Sequence, residues 1–350
     1  MPKKHTDVLI IGAGLAGSLL AWRLLQTGQK IQLIHHPSIT SASRVAAGLI
    51  NPVTGQRLVL QKNIDQLLAS AHQLYRQLGE EFNQPFFFKK TMLRTLQSKK
   101  DQAAWKKRQR DPRYQSYLSN MEPSQCEGQQ TVIQQHQTGY LDTNTLLNSL
   151  HRYFQQKQSM HSLVFDSHDL QIHHDHIVWQ EIRASQLILC QGWRGMHCNF
   201  FSYLPFQPAK GEILTLSTSD ILPKHIIHQG KWLLPLNHKA FKLGATYQHQ
   251  NIDEKPSEAG KQELLKALIS MGMAQKNITL KQHQAGIRPN TLDKQPFLGM
   301  HPKYPSIGIF NGFGSKGSLL IPWYAQRMAQ YLEHQTPLPS HADIQRFSCA

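Results

Sequence analysis

Three features predict a mixed α/β protein with an α+β second domain. A glycine-rich turn joins an apolar strand to an amphipathic helix near the N-terminus. Two irregular, strand-rich stretches then interrupt the strand-and-helix pattern, and the tail returns to strand, glycine turn and helix. At 350 residues the chain is long enough for two lobes, since single cores stop growing at roughly 250–300 residues.

Residues 7–11 (DVLII) form a short apolar β-run, residues 14–26 carry helical periodicity that stops at Gly28, and residues 30–34 read as a second strand. The turn between them, GAGLAG at 12–17, makes this βαβ opening Rossmann-like. Gly12 permits the tight turn, Gly14 lets backbone approach a pyrophosphate, and Gly17 allows close strand–helix packing at the positive helix N-terminus, with Leu15 and Ala16 between them. A dinucleotide is the ligand class this context predicts. Such units carry an acid after the second strand that accepts the ribose hydroxyls, and counting from Gly12 that position holds His35. An imidazole makes one such bond or favours a 2′-phosphate, so FAD and NADP both stay open at this point.

Further on, residues 63–82 place Ile64, Leu67, Leu68, Ala71, Leu74, Tyr75 and Leu78 on one helical face. Residues 84–137 are irregular, basic and aromatic. TGYLDTNTLLNSLHRYF then gives a turn and an amphipathic helix, residues 161–179 short strands, and ASQLILCQG a buried strand ending in Gly192. Residues 203–247 are again strand-rich, residues 255–273 read as a helix, and strand, glycine turn and helix follow from Gly286. The expected division is a nucleotide-binding domain over 1–83, 138–200 and 285–350, and a discontinuous β-rich domain over 84–137 and 201–284.

Composition narrows the class. With 40% hydrophobic and 17% charged residues the chain is neither disordered nor fibrous. Cys126, Cys190, Cys198 and Cys349 are dispersed and form no CxxC pair, which fits a reduced, cytoplasmic protein. The histidine clusters His35/His36 and His173/His174/His176 lack metal-site spacing, and no metal is expected. The N-terminal apolar run contains Asp7, spaced glycines and Arg23, so it is read as folded protein rather than a signal peptide. No stretch approaches the roughly 20 apolar residues of a membrane span. The excess of 38 Lys and Arg over 22 Asp and Glu, +16, favours polyanions, and much of it lies in SKKDQAAWKKRQRDPR at 98–113. A solvated basic helix explains that run as well as an RNA-binding patch does.

Several further motifs follow in order: SASRVAAGLINP, GYLD, LILCQGW, PAKGEIL, LGATY, AGIRPNTLDKQPFLG and NGFGSKGSLLIPW. Together they resemble the FAD-dependent D-amino-acid oxidase superfamily, which includes glycine and sarcosine oxidases, over nearly the whole chain. GFGSKG followed by an apolar helix is also similar to the oxidase half of the bacterial bifunctional enzyme that matures 5-methylaminomethyl-2-thiouridine in tRNA.

The resemblance implies a Rossmann-like FAD-binding domain and a substrate domain. It implies an adenine-side FAD site at Gly12, Gly14 and Gly17, with His35 as a substitute for the acid, and a flavin-facing loop at Ser43, Arg44, Ala46, Ala47 and Gly48. It further implies Gly192, at the end of the strand ASQLILCQG, as a cofactor-binding residue. The turn Gly312, Gly314, Ser315, Lys316 and Gly317 would feed a helix whose N-terminus faces the flavin, where a lysine and the helix dipole favour negative charge. Arg288 would hold a substrate carboxylate through its guanidinium fork, and Tyr247 would line the pocket. Residues 289–299 contain no cysteine for a covalent flavin link, so noncovalent FAD is expected. No Ser/His/Asp or Cys/His set emerges; in flavin amine oxidation the protein mainly orients substrate and tunes charge.

The first reading is therefore an FAD-dependent oxidoreductase that converts the C–N bond of an amino acid or N-substituted glycine into an imine. Two others stay open: the same chemistry on a carboxymethylaminomethyl wobble uridine of tRNA, and a flavin- or NADP-binding protein without oxidase activity.

Overall fold

The computed structural model describes residues 4–120, 131–250, 252–273 and 275–347; Cys126 and Cys349 lie outside them. Seven α-helices are described: α1 (Leu15–Gln26), α2 (Ala42–Val45), α3 (Ile64–Glu81), α4 (Lys99–Arg108), α5 (Thr143–Gln156), α6 (Glu258–Ser270) and α7 (Gly317–His334). The chain divides into two compact units, the first comprising Met1–Arg44, Thr143–Ala209 and Ile287–Ala350, the second Val45–Asp142 and Lys210–Gly286.

The first unit is built on parallel strands in the order Met160–Ser162, Ile31–His35, Lys4–Ile11, Ile182–Leu189 and Ile307–Asn311. Their apolar runs (VLII, IQLI, LIL, IGIF) suit strands buried on both faces. The antiparallel hairpin of Leu170–Ile172 and Ile177–Trp179 pairs with the N-terminal half of Ile182–Leu189, and Phe297–Met300 pairs antiparallel with Ile307–Asn311. Helix α1 buries Leu15, Leu19, Leu20, Ala21, Trp22 and Leu24, and it packs against α5 and α7; Trp22 meets Tyr153 of α5 edge-on at 5.2 Å. One core face joins Leu9, Ile11, Ile34, Leu187, Leu189 and Trp179 to Phe201, Leu204 and Phe297. Each such fully buried side chain is favoured by roughly 1.5–3 kcal/mol over exposure.

The second unit holds a sheet in the order Ile278–Arg288, Ala209–Thr218, Ala240–Gly244, Lys231–Pro235, Ile226–Gln229, Met92–Thr95, Val132–Gln135, Leu118–Asn120, of which Ala209, Ile287 and Arg288 are counted with the first unit. Helix α6 covers one face through Leu264 and Leu268 against Leu214, Leu216, Leu233, Phe241 and Leu243. On the other face Met92, Ile213, Ile226 and Leu234 meet Val45 and Ala47.

The units cut the chain elsewhere than the sequence suggested. Residues 45–83 and 138–142 fall in the second unit, because Gly139–Leu141 pairs with both Leu49–Ile50 and Phe87–Lys89 and α3 packs on the latter. Residues 201–209 fall in the first, where Phe201 and Leu204 enter its core. The stretch expected to be irregular, 84–137, contains strands of three or four residues and the helix α4. None of the described helices is long and apolar enough to cross a membrane.

Candidate functional site

The carboxyl ends of the parallel strands, where ligands bind in open α/β sheets, carry the glycine turns of the first unit. Gly12 has φ +108°, and a Cβ there would overlap the Cys190 carbonyl; a Cβ on Gly17 would overlap the Gly12 carbonyl. These two glycines are required by packing. Gly14 is different: its backbone is extended, and a Cβ would meet only Ser43 Oγ at 3.4 Å and Ser41 Cβ at 3.6 Å. Gly14 therefore faces Ser41 and Ser43 with room for a Cβ at ordinary contact distance, and α1 begins there with no cap from the Gly14 position and no acid in its first turn. Ser43 Oγ accepts the Leu15 N–H at 3.1 Å. A helix N-terminus with no acid in its first turn, entered through a glycine turn, fits the diphosphate of a dinucleotide.

His35 ends the second parallel strand, its imidazole 5.8 Å from that of His151 on α5. The His151 Nε2 lies 2.9 Å from the Ala13 carbonyl inside the glycine turn, and its Nδ1 lies 3.4 Å from Arg44 Nη2. Arg44 Nη1 donates to Asn148 Oδ1 at 2.5 Å and to the Asn144 carbonyl at 3.3 Å. Burial, with help from Arg44 and His35, pushes His151 down to about 4; burial, Arg44 and His36 lower His35 as well.

At the other end of the sheet, Asn311 Nδ2 donates to the Gly192 carbonyl at 2.8 Å, joining two strand ends. Gly192, Gly312 and Gly314 all have positive φ. The Gly314 N–H donates to the Pro289 carbonyl at 3.2 Å; a Cβ on Gly314 would stand 2.5 Å from Asn290 Oδ1, and one on Gly312 would stand 2.7 Å from Thr291 Cγ2. The glycines therefore let the segment after Arg288 lie directly against the 312–317 turn. Arg288 ends the strand Ile278–Arg288, half-buried, its carbonyl accepting from the Asn290 N–H at 2.9 Å. Beyond Ser315, Lys316 precedes the 18-residue helix α7, which opens at Gly317 without an acid in its first turn. Burial and the neighbouring Lys294 lower the Lys316 ammonium.

Gly12, Gly14, Leu15, Ala16, Gly17, His35, Ser43, Arg44, Gly192, Arg288 and the 312–317 turn all belong to the first unit. Ala46, Ala47, Gly48 and Tyr247 belong to the second. There Gly48 has φ +68° and a Cβ on it would overlap the Leu141 carbonyl, so packing demands glycine at that position, and Ala47 lies buried in a core cluster with Met92 and Ile226. Tyr247 is 57% exposed and meets His249 edge-on. Sequence reasoning missed Asn144, Asn148, His151, Asn290 and Asn311. The first three stand at i, i+4 and i+7 on α5, and that polar spacing opposite Leu146, Leu147, Leu150 and Phe154 was a readable signal. The described residues contain no group of His, Cys, Asp and Glu placed to hold a metal.

A family model described as FAD dependent oxidoreductase matches residues 7–331. Glycine oxidase of Bacillus subtilis is 31% identical over 148 residues, 41% of this chain and 39% of that protein. Glycine oxidase of Pseudomonas aeruginosa is 24% identical over 161 residues, 45% and 44% of the two chains. The chain thus spans about two fifths of the length of these curated relatives. Among solved structures, iminodiacetate oxidase from Chelativorans sp. BNC1 matches with a TM-score of 0.80 at 19% identity, covering 96% of this chain and 98% of its own. Glycine oxidase from Bacillus cereus matches at 0.77 and 20%, covering 95% and 96%. These overlays show the fold.

Proposed function

We propose that this chain, which belongs to the FAD dependent oxidoreductase family, oxidises the C–N bond of an amino acid or N-substituted glycine to an imine that water then hydrolyses. The observation that carries this reading is the Pro289–Gly314 hydrogen bond, which sets the segment following Arg288 against the turn that opens α7. Bound noncovalently, FAD would supply the two-electron acceptor.

The chain's own residues bind and orient. Gly14, Ser43 and the start of α1 would receive the dinucleotide, and Gly312 and Gly314 would keep the backbone close around its ring. Arg288 would grip the substrate carboxylate bidentately, fixing the α-carbon relative to the mouth of α7. The α7 N-terminus and the desolvated Lys316 favour negative charge at that mouth, since no acid offsets them in the first helical turn. Glycine oxidases among the relatives and iminodiacetate oxidase among the structural matches point to small, carboxylate-bearing amines.

The test is spectral. The purified chain is expected to be yellow and to bleach without oxygen when given a member of a panel of glycine, sarcosine, iminodiacetate and D-amino acids. A colourless protein, one that takes NADPH instead, or a flavin that none of these amines reduces would overturn the reading. Bleaching by carboxymethylaminomethyl-modified tRNA alone would move the substrate to RNA; the exposed Lys99, Lys100, Lys106 and Lys107 of α4 are the surface such a substrate would use.

A further inference from the structure

His35 stands where a carboxylate ordinarily receives the adenosine ribose, and the side chains around it carry the opposite charge. Arg44 is held from three directions within the first unit, by Asn148 Oδ1, the Asn144 carbonyl and His151 Nδ1. The tautomer of His151 follows from its neighbours: a ring that accepts from Arg44 at Nδ1 must donate from Nε2, where the Ala13 carbonyl waits. A histidine fixed in that way is neutral, and burial keeps it so. The cluster of His35, Arg44, Asn148 and His151 therefore carries a single positive charge, which no carboxylate pairs among the described residues. Arg44 keeps its Nε–H and one Nη2–H for a further acceptor. The segment that bears it sets Ser41 and Ser43 against Gly14, and Ser43 Oγ accepts the Leu15 N–H at the start of α1.

We propose that Arg44, oriented by Asn148 and tied through His151 to the glycine turn, binds the diphosphate of the cofactor, so that this end of the site is cationic where related folds place an acid. The inference rests on the FAD reading above. A carboxylate would accept ribose hydroxyls and repel phosphate; a guanidinium donates to phosphate oxygens in a planar fork. Part of the cofactor affinity is then electrostatic and falls as salt screens it. His151 is a positioning residue, acting on the cofactor only through Arg44.

The experiment uses the full chain with its flavin and measures the FAD dissociation constant, from released-flavin fluorescence on dilution, at low and at high salt. Wild type is expected to hold FAD less tightly as salt rises. Arg44→Gln should raise the dissociation constant roughly 10- to 100-fold, the range of one charge-assisted contact, and flatten the salt dependence. Arg44→Lys should retain the salt dependence with intermediate affinity. An Arg44→Gln protein that keeps either the wild-type affinity or the wild-type salt slope overturns the proposal. If that variant does not fold, His35→Glu decides: a carboxylate set beside Arg44 should flatten the slope, and an unaltered slope overturns the proposal. A colourless wild type would instead remove the FAD reading, and this inference with it.

Discussion

At the scale of single residues, the three glycines of GAGLAG have different jobs, which gives a sharp contrast. Gly12→Ala forces a side chain into a positive-φ position against the Cys190 carbonyl and should cost about 3 kcal/mol or more in stability, read from urea unfolding. Gly14→Ala meets nothing closer than 3.4 Å and has an ordinary φ, so stability should hold or rise by up to about 1 kcal/mol while FAD affinity drops. Equal stability losses at both positions would contradict this division. For Arg288→Ala, kcat/KM for a carboxylate-bearing amine should fall by the equivalent of about 1.5–3 kcal/mol; unchanged kinetics would take Arg288 out of the site. The positive-φ glycine turns and the strand that ends at Arg288 were legible because motif order carries them. The partners of Asn148, His151 and Asn311 were not, because they lie more than 100 residues away in sequence, as in Arg44–Asn148, Ala13–His151 and Gly192–Asn311.

At the scale of elements, long amphipathic helices and the short strands of 161–179 were readable, whereas the short strands within 84–137 were not. All seven residues expected on the inner face of α3 are buried, because an 18-residue helix repeats its period several times. The strands Met92–Thr95 and Val132–Gln135 show two alternations each, too few to stand out from a basic background. The start of α6 illustrates a tertiary contribution that local sequence does not announce. The buried Glu212 carboxylate accepts from the Ser257 N–H at 2.9 Å and the Ser257 hydroxyl at 2.7 Å, lies 2.7 Å from His283 Nε2, and stands 3.7 Å from the buried Lys210 ammonium. It fills the space that Gly260 leaves by lacking a Cβ. Glu212→Ala leaves Lys210 with Asp253 as its ion-pair partner and takes away the acceptor of the Ser257 N–H and hydroxyl at the start of α6, so unfolding free energy should fall by about 1–3 kcal/mol; an unchanged stability would show the network to be superficial.

At the scale of the whole molecule, stability should depend on pH through desolvated neutral histidines. His228, half-buried, is paired in register with the buried Arg94, and its desolvation together with that guanidinium pushes it from 6.5 down to about 4. The unfolded chain takes up its proton near 6.5 while the folded chain refuses it until about 4, so stability is full above that window and falls as pH drops through it. The loss at the acid end should be on the order of 3 kcal/mol for His228, and His228→Gln should flatten the profile between those limits. Two-unit organisation was also legible from the interrupted pattern, but the cut at Arg44–Val45 was not, since it depends on Gly139–Leu141 pairing with Leu49–Ile50 across about 90 residues of chain. The net charge of +16 describes association and not fold, and it leaves the choice of substrate to the site itself. The most direct measurement there is anaerobic mixing of the flavin-bound protein with matched amines that differ only in the carboxylate, such as sarcosine against dimethylamine. Flavin absorbance should bleach with the carboxylate-bearing amine and stay unchanged with its partner, and the difference should vanish in Arg288→Ala; equal bleaching by both amines, or by neither, would contradict amine oxidation directed by an arginine-held carboxylate.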